Sequence, residues 1–159
     1  MDSTYFRNWR VLCWNVRGLN SGDRQRDVRA NIKRKCSIIC LQETKCEHFD
    51  LHEIHSFCPH RFDNFAYAPS VGASGGILVI WDSTVFSGTL VDIQCFGVIV
   101  PFKFVHNSEA WTMVAVYGPC QGPLRDDFIS WLYNLSIPDD QNWLFLGDFN
   151  FIRSLDNKN

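Results

Sequence analysis

Three polar segments of this chain follow directly on short apolar stretches, and each carries an amide or a carboxylate. Asn15 follows the first stretch, Glu43 the second, and Asp148 with Asn150 the third. Taken singly, each segment is typical of a turn or a helix cap. Ligands of open α/β sheets bind at the carboxyl ends of strands, and Mg²⁺ prefers carboxylate and amide oxygens. The joint occurrence of three such strand ends therefore predicts a hard-cation site.

The stretches around the first two polar ends predict a strand–helix–strand unit. Residues 10–16 and 37–42 are short and apolar, as buried strands are. Between them, residues 23–35 place Val28 and Ile32 one helical turn apart on an otherwise charged surface. This order of elements predicts an α/β fold.

The rest of the chain supplies the remaining elements. Residues 45–74 are polar and aromatic-rich, which predicts loops with one short helix near residues 50–57. A second helix is predicted at residues 124–135, which follow Pro123 and carry a continuous apolar stripe. Further strands, the first four of them antiparallel neighbours, are predicted at residues 75–81, 89–94, 96–105, 110–117 and 142–146.

The charge of the chain is unevenly distributed, although its net value is only −2. Residues 1–35 hold nine Lys and Arg against three Asp and Glu, whereas the remainder is acidic. A basic segment of this kind is a footprint for phosphate or nucleic acid. The solvated face of a helix explains the same residues and, taken alone, is the better interpretation.

The seven cysteines are odd in number and contain no Cys-x-x-Cys pair. We therefore expect free thiols in a reducing compartment, with Cys13, Cys40 and Cys95 packed as small hydrophobes in apolar, strand-like segments. Cysteines and histidines also cluster between residues 46 and 60, but their spacing matches no standard zinc finger. An amphipathic helix or loop with surface histidines is the better prediction for this cluster, and a metal site is the alternative.

Length and composition set the remaining limits. At 159 residues and 46% hydrophobic content, the chain suffices for one domain and not for two. Its apolar stretches are too short to cross a bilayer, and its first ten residues lack the apolar core of a secretory signal. We expect a soluble intracellular protein without a membrane partner, located in the nucleus if it acts on DNA.

Five ordered motifs of the chain resemble those of the endonuclease/exonuclease/phosphatase superfamily. The resemblance runs from about Trp9 to the end of the chain and is greatest to the apurinic-type endonuclease of plant LINE-type (non-LTR) retrotransposons. The motifs are residues 13–19 (CWNVRGL), 41–44 (LQET), 74–76 (SGG), 116–119 (VYGP) and 147–150 (GDFN).

The resemblance implies a DNase I-like fold, part of a four-layer α/β sandwich in which two packed mixed sheets lie between outer helices. It implies Mg²⁺ or Mn²⁺ as cofactor and the DNA backbone as partner. Asn15 resembles the family's amide at the metal and phosphate site, and Glu43 resembles its principal metal ligand. Tyr117 resembles the tyrosine beside the scissile phosphate. Asp148 resembles the aspartate that orients or activates the attacking water, and Asn150 the amide that helps to hold the nucleophile and the phosphate.

Two departures from the family pattern affect these expectations. Arg17 stands where the DNA-repair branch has an acidic residue, which favours the retrotransposon branch. The family's Ser-Asp-His motif does not follow Asn150, and none of the five histidines, from His48 to His106, has that context. The resemblance therefore implies that residues 1–159 are a single incomplete domain with the C-terminal portion missing. Such a domain is expected to be inactive by itself and to self-associate through an exposed sheet face.

Two other functions remain open at this stage. The chain is alternatively a non-catalytic remnant of a retrotransposon reading frame, which the missing histidine motif favours. It is alternatively a superfamily phosphatase acting on another phosphoester, since the catalytic core of such an enzyme is similar. The motifs around Asn15 and Tyr117 resemble the DNA-cleaving branch of the superfamily more than they resemble such phosphatases.

Overall fold

The computed structural model of the chain describes residues 9–89, 91–120 and 122–151. None of the helices in these ranges is long and apolar enough to cross a membrane. The helices are α1 (Gly22–Asn31), α2 (Leu51–Phe57) and α3 (Leu124–Asn134). The strands are β1 (Arg10–Asn15), β2 (Cys36–Gln42), β3 (Asn64–Ala68), β4 (Ile77–Trp81), β5 (Phe86–Gly88), β6 (Asp92–Gln94), β7 (Gly97–Phe104), β8 (Ala110–Tyr117) and β9 (Trp143–Asp148).

The first sheet has the strand order β1-β2-β4-β3. β1 and β2 run parallel, with Asn15 opposite Gln42 at their carboxyl ends, and α1 connects them. β4 is antiparallel to both of its neighbours, β2 and β3. The predicted strand–helix–strand unit is confirmed. It places the strand end that carries Asn15 next to the strand end that carries Glu43.

Helix α1 is shorter than the charge pattern predicted. It begins after Ser21, whose hydroxyl accepts a hydrogen bond from the amide of Arg24, and it ends at Asn31 instead of residue 35. Ile32 takes an extended conformation and packs against an apolar cluster, which turns the chain towards β2. The basic residues 33–35 consequently lie in the connection to β2 and not on the helix.

The second sheet has the strand order β5-β7-β8-β9, and β6 also pairs with β7. β7 and β8 form an antiparallel pair, as the sequence predicted. β8 and β9 run parallel, with Tyr117 opposite Asp148 at their carboxyl ends, and α3 connects them. This second strand–helix–strand unit sets the strand ends that carry Tyr117 and Asp148 side by side.

Three apolar clusters show how the layers stack. The first includes Val28 of α1 and Ile54 of α2, which pack on the outer face of the first sheet. The second lies between the sheets and includes Cys40 and Met113. The third packs Phe128 of α3 on the outer face of the second sheet. The layers therefore follow the order helix, sheet, sheet, helix, which confirms the predicted four-layer α/β sandwich.

Three strands and one pairing differ from the sequence-based prediction. β3 lies in the segment predicted as loops, and β5 was not predicted. β4 joins the first sheet and does not pair with the strand that follows it. β6 covers only the last three residues of its predicted strand, and Leu90 of that strand lies outside the described residues. β3 and β5 are short and owe their conformation to pairing with β4 and β7, which local composition does not reveal.

The described part of the sandwich has open edges at β1 and β9. Each of these strands pairs with a neighbour on one side only, and they pack against each other. Cys13 of β1 is exposed. Leu144 of β9 pairs with Met113, a member of the cluster between the sheets, yet its exposed fraction is 36%. The apolar cluster between the sheets is therefore accessible along this side.

Candidate active site

The five sequence motifs meet at one edge of the sandwich. The parallel strands β1 and β2 end at this edge, and so do the parallel strands β8 and β9 of the other sheet. β9 packs against β1 and β2, so the four strand ends lie together. The carboxyl ends of parallel strands are where α/β proteins place ligands.

Backbone hydrogen bonds join the loops that leave β1 and β2. The amide of Gly18 donates to the Glu43 carbonyl over 2.8 Å, and the amide of Leu19 donates to the Thr44 carbonyl over 2.9 Å. The amide of Lys45 in turn donates to the Gly75 carbonyl over 3.0 Å. The first three motifs therefore form one hydrogen-bonded unit.

A side-chain hydrogen bond joins the two sheets at this edge. Asn15 Nδ2 donates to Asp148 Oδ2 over 2.9 Å. The Asn15 Oδ1 atom accepts the amide of Arg17 over 3.2 Å, which fixes which end of the Asn15 amide faces Asp148. Two of the predicted site residues, 133 positions apart in the chain, are thereby in direct contact.

Asn150 closes the loop after β9 onto the loop after β8. Its backbone amide donates to Asp148 Oδ1 over 3.0 Å, and its Nδ2 atom donates to the Gly118 carbonyl over 2.6 Å. The amide of Gly118 donates to the Asp148 carbonyl over 2.7 Å. A Cβ atom on Gly118 would lie 2.5 Å from the Phe149 carbonyl oxygen, so the close approach of these loops requires glycine.

Strained backbone concentrates at the same edge. Of the five non-glycine residues with positive φ in the described ranges, Arg17, Glu43, Lys45 and Asn150 lie here, and Ser108 lies in the β7–β8 turn. Each such conformation costs on the order of 1–3 kcal/mol, and it persists only where the surrounding structure imposes it. The loops therefore hold these side chains in directions that relaxed turns would not give.

Tyr117 pairs with Asp148 in the strand register and lies within electrostatic range of Glu43. Burial raises the pKa of its hydroxyl to about 12, and the charges of Glu43, Cys120 and Asp148 act in the same direction. The Tyr117 hydroxyl therefore remains protonated at neutral pH and can donate a hydrogen bond to an anion. A Cβ atom on Gly75 would lie 3.9 Å from the Tyr117 ring, so the Gly75–Gly76 turn also adjoins the tyrosine.

The sequence matches one known protein family over most of its length. Residues 12–158 match the Endonuclease/Exonuclease/phosphatase family. The chain belongs to this family. No curated protein matches the sequence significantly. The family match agrees with the five motifs, and it leaves the retrotransposon branch and the plant origin untested.

Solved structures with the same fold confirm the DNase I-like architecture. The human Nocturnin catalytic domain with bound sulfate has a TM-score of 0.67 at 13% identity, and the match covers 91% of this chain and 64% of that one. TDP2 from D. rerio, complexed with a single-strand DNA product, has a TM-score of 0.64 at 16% identity, and the match covers 89% of this chain and 60% of TDP2. The AP endonuclease LMAP from Leishmania major has a TM-score of 0.60 at 15% identity, and the match covers 88% of this chain and 54% of LMAP. The chain thus spans less than two thirds of each of these proteins.

The residues of this family member fit a hard divalent cation, and dependence on divalent metals is general in the family. Glu43 and Asp148 supply carboxylate oxygens near Tyr117, and Asn15 supplies an amide oxygen. The Lys45 ammonium lies 3.6 Å from Glu43 Oε1, so the carboxylate already faces a positive charge. Glu43 is 22% exposed, which leaves it accessible to an ion from solvent.

A second group of potential ligands lies on the surface at the start of α2. The side chains of His48, Asp50 and Glu53 have ligand atoms within 4.8 Å of one another, and all three residues are exposed. Asp50 and Glu53 form the capping box of α2, which explains their proximity without an ion. Nearby, His55 Nε2 bonds the Phe62 carbonyl and Cys58 is buried. The amphipathic-helix interpretation of this segment therefore agrees with the structure.

The prediction that Cys13 and Cys95 pack as small hydrophobes is wrong, because both are exposed. Cys13 lies on the edge strand β1, and Cys95 lies in the turn between β6 and β7. Cys40 is fully buried, as predicted. The interaction with the Cys40 thiol, with the Gln42 amide acting in the same direction, lowers the pKa of Cys13 to about 7 against the opposing effect of partial desolvation.

Sequence reasoning missed two contributors to the site. Lys45 follows the second motif directly and pairs with Glu43, but a lone lysine in a loop gives no signal of that contact. The Gly118 backbone holds both Asp148 and Asn150. Its position between Tyr117 and Pro119 signals a turn, and only the fold shows that this turn meets the loop after β9.

Proposed function

We propose that this edge is a metal-dependent phosphodiester hydrolysis site of the DNA-nicking type. The hydrogen bond between Asn15 and Asp148 carries this proposal, because it joins the two halves of the sandwich where Glu43 and Tyr117 also lie. Support comes from the family match and from the fold shared with TDP2 in complex with a single-strand DNA product and with an AP endonuclease.

Each side chain has a defined role in this proposal. A divalent ion held by Glu43 and Asn15 would neutralise charge on the phosphate oxygens and lower the pKa of a bound water. The protonated Tyr117 hydroxyl donates to a non-bridging oxygen of the phosphate. Asn150 orients Asp148 through its amide and holds the loop after β8. These preorganised donors stabilise the charge that develops in the transition state.

Asp148 is the general base of the proposed reaction. Each of its carboxylate oxygens accepts one hydrogen bond, from Asn15 and from the Asn150 amide, and each keeps lone pairs free for a water molecule. Two fixed donors on opposite sides hold the carboxylate in one orientation. A positioned base of this kind contributes typically about 10²–10⁴-fold to the rate.

The DNA backbone is the proposed partner, and Arg17 is its first contact. Arg17 is exposed and lies two residues after Asn15, to whose side chain its backbone amide donates a hydrogen bond. On α1, Arg24 lies 3.6 Å from Asp27, and Arg26 pairs with Asp23. Because these intrahelical pairs neutralise part of the helix charge, the basic helix contributes less to phosphate binding than its composition suggests. We assign the chain, on this proposal, to the LINE-type branch, with one domain and a nuclear location.

We further propose that the chain by itself does not cleave the DNA backbone. Its sequence holds no Ser-Asp-His motif, and His106 lies in the β7–β8 turn, at the opposite end of β8 from Tyr117. A general acid for the leaving oxygen is therefore not identified among its residues. Loss of such a group typically costs several orders of magnitude in rate.

A plasmid-nicking assay with Mg²⁺ or Mn²⁺ tests the proposed inactivity directly, and any nicking observed tests the site. We expect no relaxation of supercoiled plasmid by the wild-type chain. Nicking that disappears in Glu43→Ala and persists in Glu109→Ala would establish the site and contradict the inactivity. Glu109 is the matched control because it is an exposed glutamate just before β8, at the opposite end from the site. Nicking that survives in Glu43→Ala would contradict the assignment of Glu43 to the metal.

A further inference from the structure

Two cysteines lie opposite each other on the parallel strands β1 and β2. Cys13 and Cys40 are direct partners in the strand register. Adjacent strands lie about 4.8 Å apart, and a disulfide spans Cα distances of about 4.4–6.8 Å. The backbone therefore already places this pair within reach of a disulfide.

The two sulfur atoms also face each other. Gln42 Nε2 donates to Cys40 Sγ over 2.9 Å and to Cys13 Sγ over 3.2 Å. All seven cysteines, each within the described ranges, are free thiols. One shared amide donor thus bridges the two reduced sulfurs.

The two thiols differ sharply in their access to solvent. Cys13 is exposed on the open edge strand β1, whereas Cys40 is fully buried between the sheets. A small oxidant in solution therefore meets Cys13 first and reaches Cys40 only through its partner. Redox-sensing cysteines have this arrangement, with an accessible thiol next to a resolving one.

We propose that Cys13 and Cys40 form a peroxide-sensitive pair that closes to a disulfide. The Cys13 sulfur attacks one oxygen of hydrogen peroxide. The S–O bond forms as the O–O bond breaks, and the hydroxide released takes the thiol proton and leaves as water. The Cys40 sulfur then attacks the sulfenic sulfur. The S–S bond forms as the S–O bond breaks, and the second hydroxide leaves as water with the Cys40 proton. Two thiols are oxidised and one peroxide is reduced to two waters.

The pair adjoins the candidate active site. Asn15 lies two residues beyond Cys13 on β1, and Gln42 directly precedes Glu43. A disulfide shortens the distance between the sulfurs to about 2.05 Å, which displaces the Gln42 amide from its present acceptors. We therefore expect oxidation to disturb the strand ends that carry Asn15 and Glu43. This regulatory consequence rests on the proposed function, whereas the disulfide itself does not.

The test uses the reduced full chain treated with hydrogen peroxide. Remaining thiols are blocked with N-ethylmaleimide, and the chain is digested without reduction for mass spectrometry. We expect a linked Cys13–Cys40 peptide, the loss of two thiols per chain, and reversal of both by dithiothreitol. Cys95→Ser is the matched control, because Cys95 is also exposed but lies in the β6–β7 turn, and it should give the same linked peptide.

Cysteine variants and alternative oxidation products test whether Cys13 and Cys40 form the disulfide. In Cys13→Ser, we expect Cys40 to stay reduced under the same treatment. Because Ser at a buried position can lower stability, the decisive measurement is made on the wild-type chain and not on Cys40→Ser. Dimedone labelling of Cys13 without any linked peptide would overturn the pair, and so would preferential linkage of Cys13 to Cys95 or Cys120. Glu43→Gln should form the same disulfide, which separates this inference from the metal site.

Discussion

At the scale of single residues, the candidate site depends on hydrogen bonds that give each polar side chain one orientation. Asp148 accepts from Asn15 of the other sheet and from the amide of Asn150 in its own loop. Asn15 is oriented in turn by the amide of Arg17. A carboxylate held from both sheets keeps its position only while the two halves of the sandwich stay in contact.

Replacing Asn15 by alanine should lower the free energy of unfolding. The substitution removes the half-buried hydrogen bond to Asp148, and a bond of this kind contributes about 1 kcal/mol. Urea denaturation of the wild type and Asn15→Ala measures the difference. Asn31→Ala is the control, since Asn31 is exposed at the end of α1 and should change stability by less than about 0.5 kcal/mol. Equal effects of the two substitutions would show that the bond between the sheets contributes nothing specific.

Tyr117 should titrate later than an ordinary tyrosine. Burial raises its pKa to about 12 from the usual 10.0, with the charges of Glu43, Cys120 and Asp148 acting in the same direction. Because the folded pKa exceeds the unfolded one, the contribution of neutral Tyr117 to stability is complete below pH 10 and is lost as the pH rises through about 12. Absorbance at the phenolate band, wild type minus Tyr117→Phe, should give a midpoint near 12. A midpoint near 10 would contradict the burial of the Tyr117 hydroxyl near the charges of the site.

At the scale of elements, the sequence predicts those helices and strands whose bounds depend on the local pattern of apolar and polar residues. β8 has the bounds predicted for it, because its apolar run ends where polar turn residues begin. The polar ends after β1, β2 and β9 were likewise predictable, and the structure brings them together. The Asn15–Asp148 contact was not predictable, because it joins residues that lie far apart in the sequence. The pairing of Glu43 with Lys45 was not predictable either, because it depends on the strained, positive-φ conformation of both residues.

The turn before β4 offers a direct test of how tightly the loops pack. A Cβ atom on Gly76 would lie 2.3 Å from the hydroxyl oxygen of the buried Thr44, and Gly76 has a φ of +94°. Gly72 has a φ of +61° but nothing within 4 Å of its Cβ position. Gly72→Ala should therefore cost about 1–2 kcal/mol of backbone strain alone.

Gly76→Ala should cost a further ~1–3 kcal/mol, because it adds overpacking against Thr44 to the strain. Urea denaturation of both variants measures the two costs under the same conditions. If Gly76→Ala were no more destabilising than Gly72→Ala, the loops after β2 and before β4 would not be in the close contact that the site requires.

At the scale of the whole molecule, the open side of the sandwich lies where the edge strands β1 and β9 pack against each other. Among the described residues, β3, β5 and β6 also have one pairing partner each, but it is beside β1 and β9 that Cys13 and Leu144 leave the cluster between the sheets accessible. Exposed edges and apolar surface favour association between chains. The site lies at the carboxyl ends of these same strands, so association and site geometry are linked.

We expect the isolated chain to self-associate in a concentration-dependent manner through this open side. Size-exclusion chromatography with light scattering measures the mass of the species formed. Leu144→Lys should reduce association, because it places a charge on the exposed inner face of β9. Tyr133→Lys is the control, since Tyr133 is 90% exposed on α3 on the opposite face of that sheet. A well-behaved monomer with a cooperative unfolding transition would contradict this expectation.

If Glu43 holds a divalent cation at the edge where both sheets end, the chain should bind that ion in solution. Titration of Mn²⁺ into the chain, followed by the electron paramagnetic resonance signal of the free ion, measures this binding. We expect one bound Mn²⁺ per chain that Glu43→Gln removes and that Glu109→Gln retains. Mn²⁺ bound equally by Glu43→Gln, or lost instead from Glu53→Gln on α2, would contradict it.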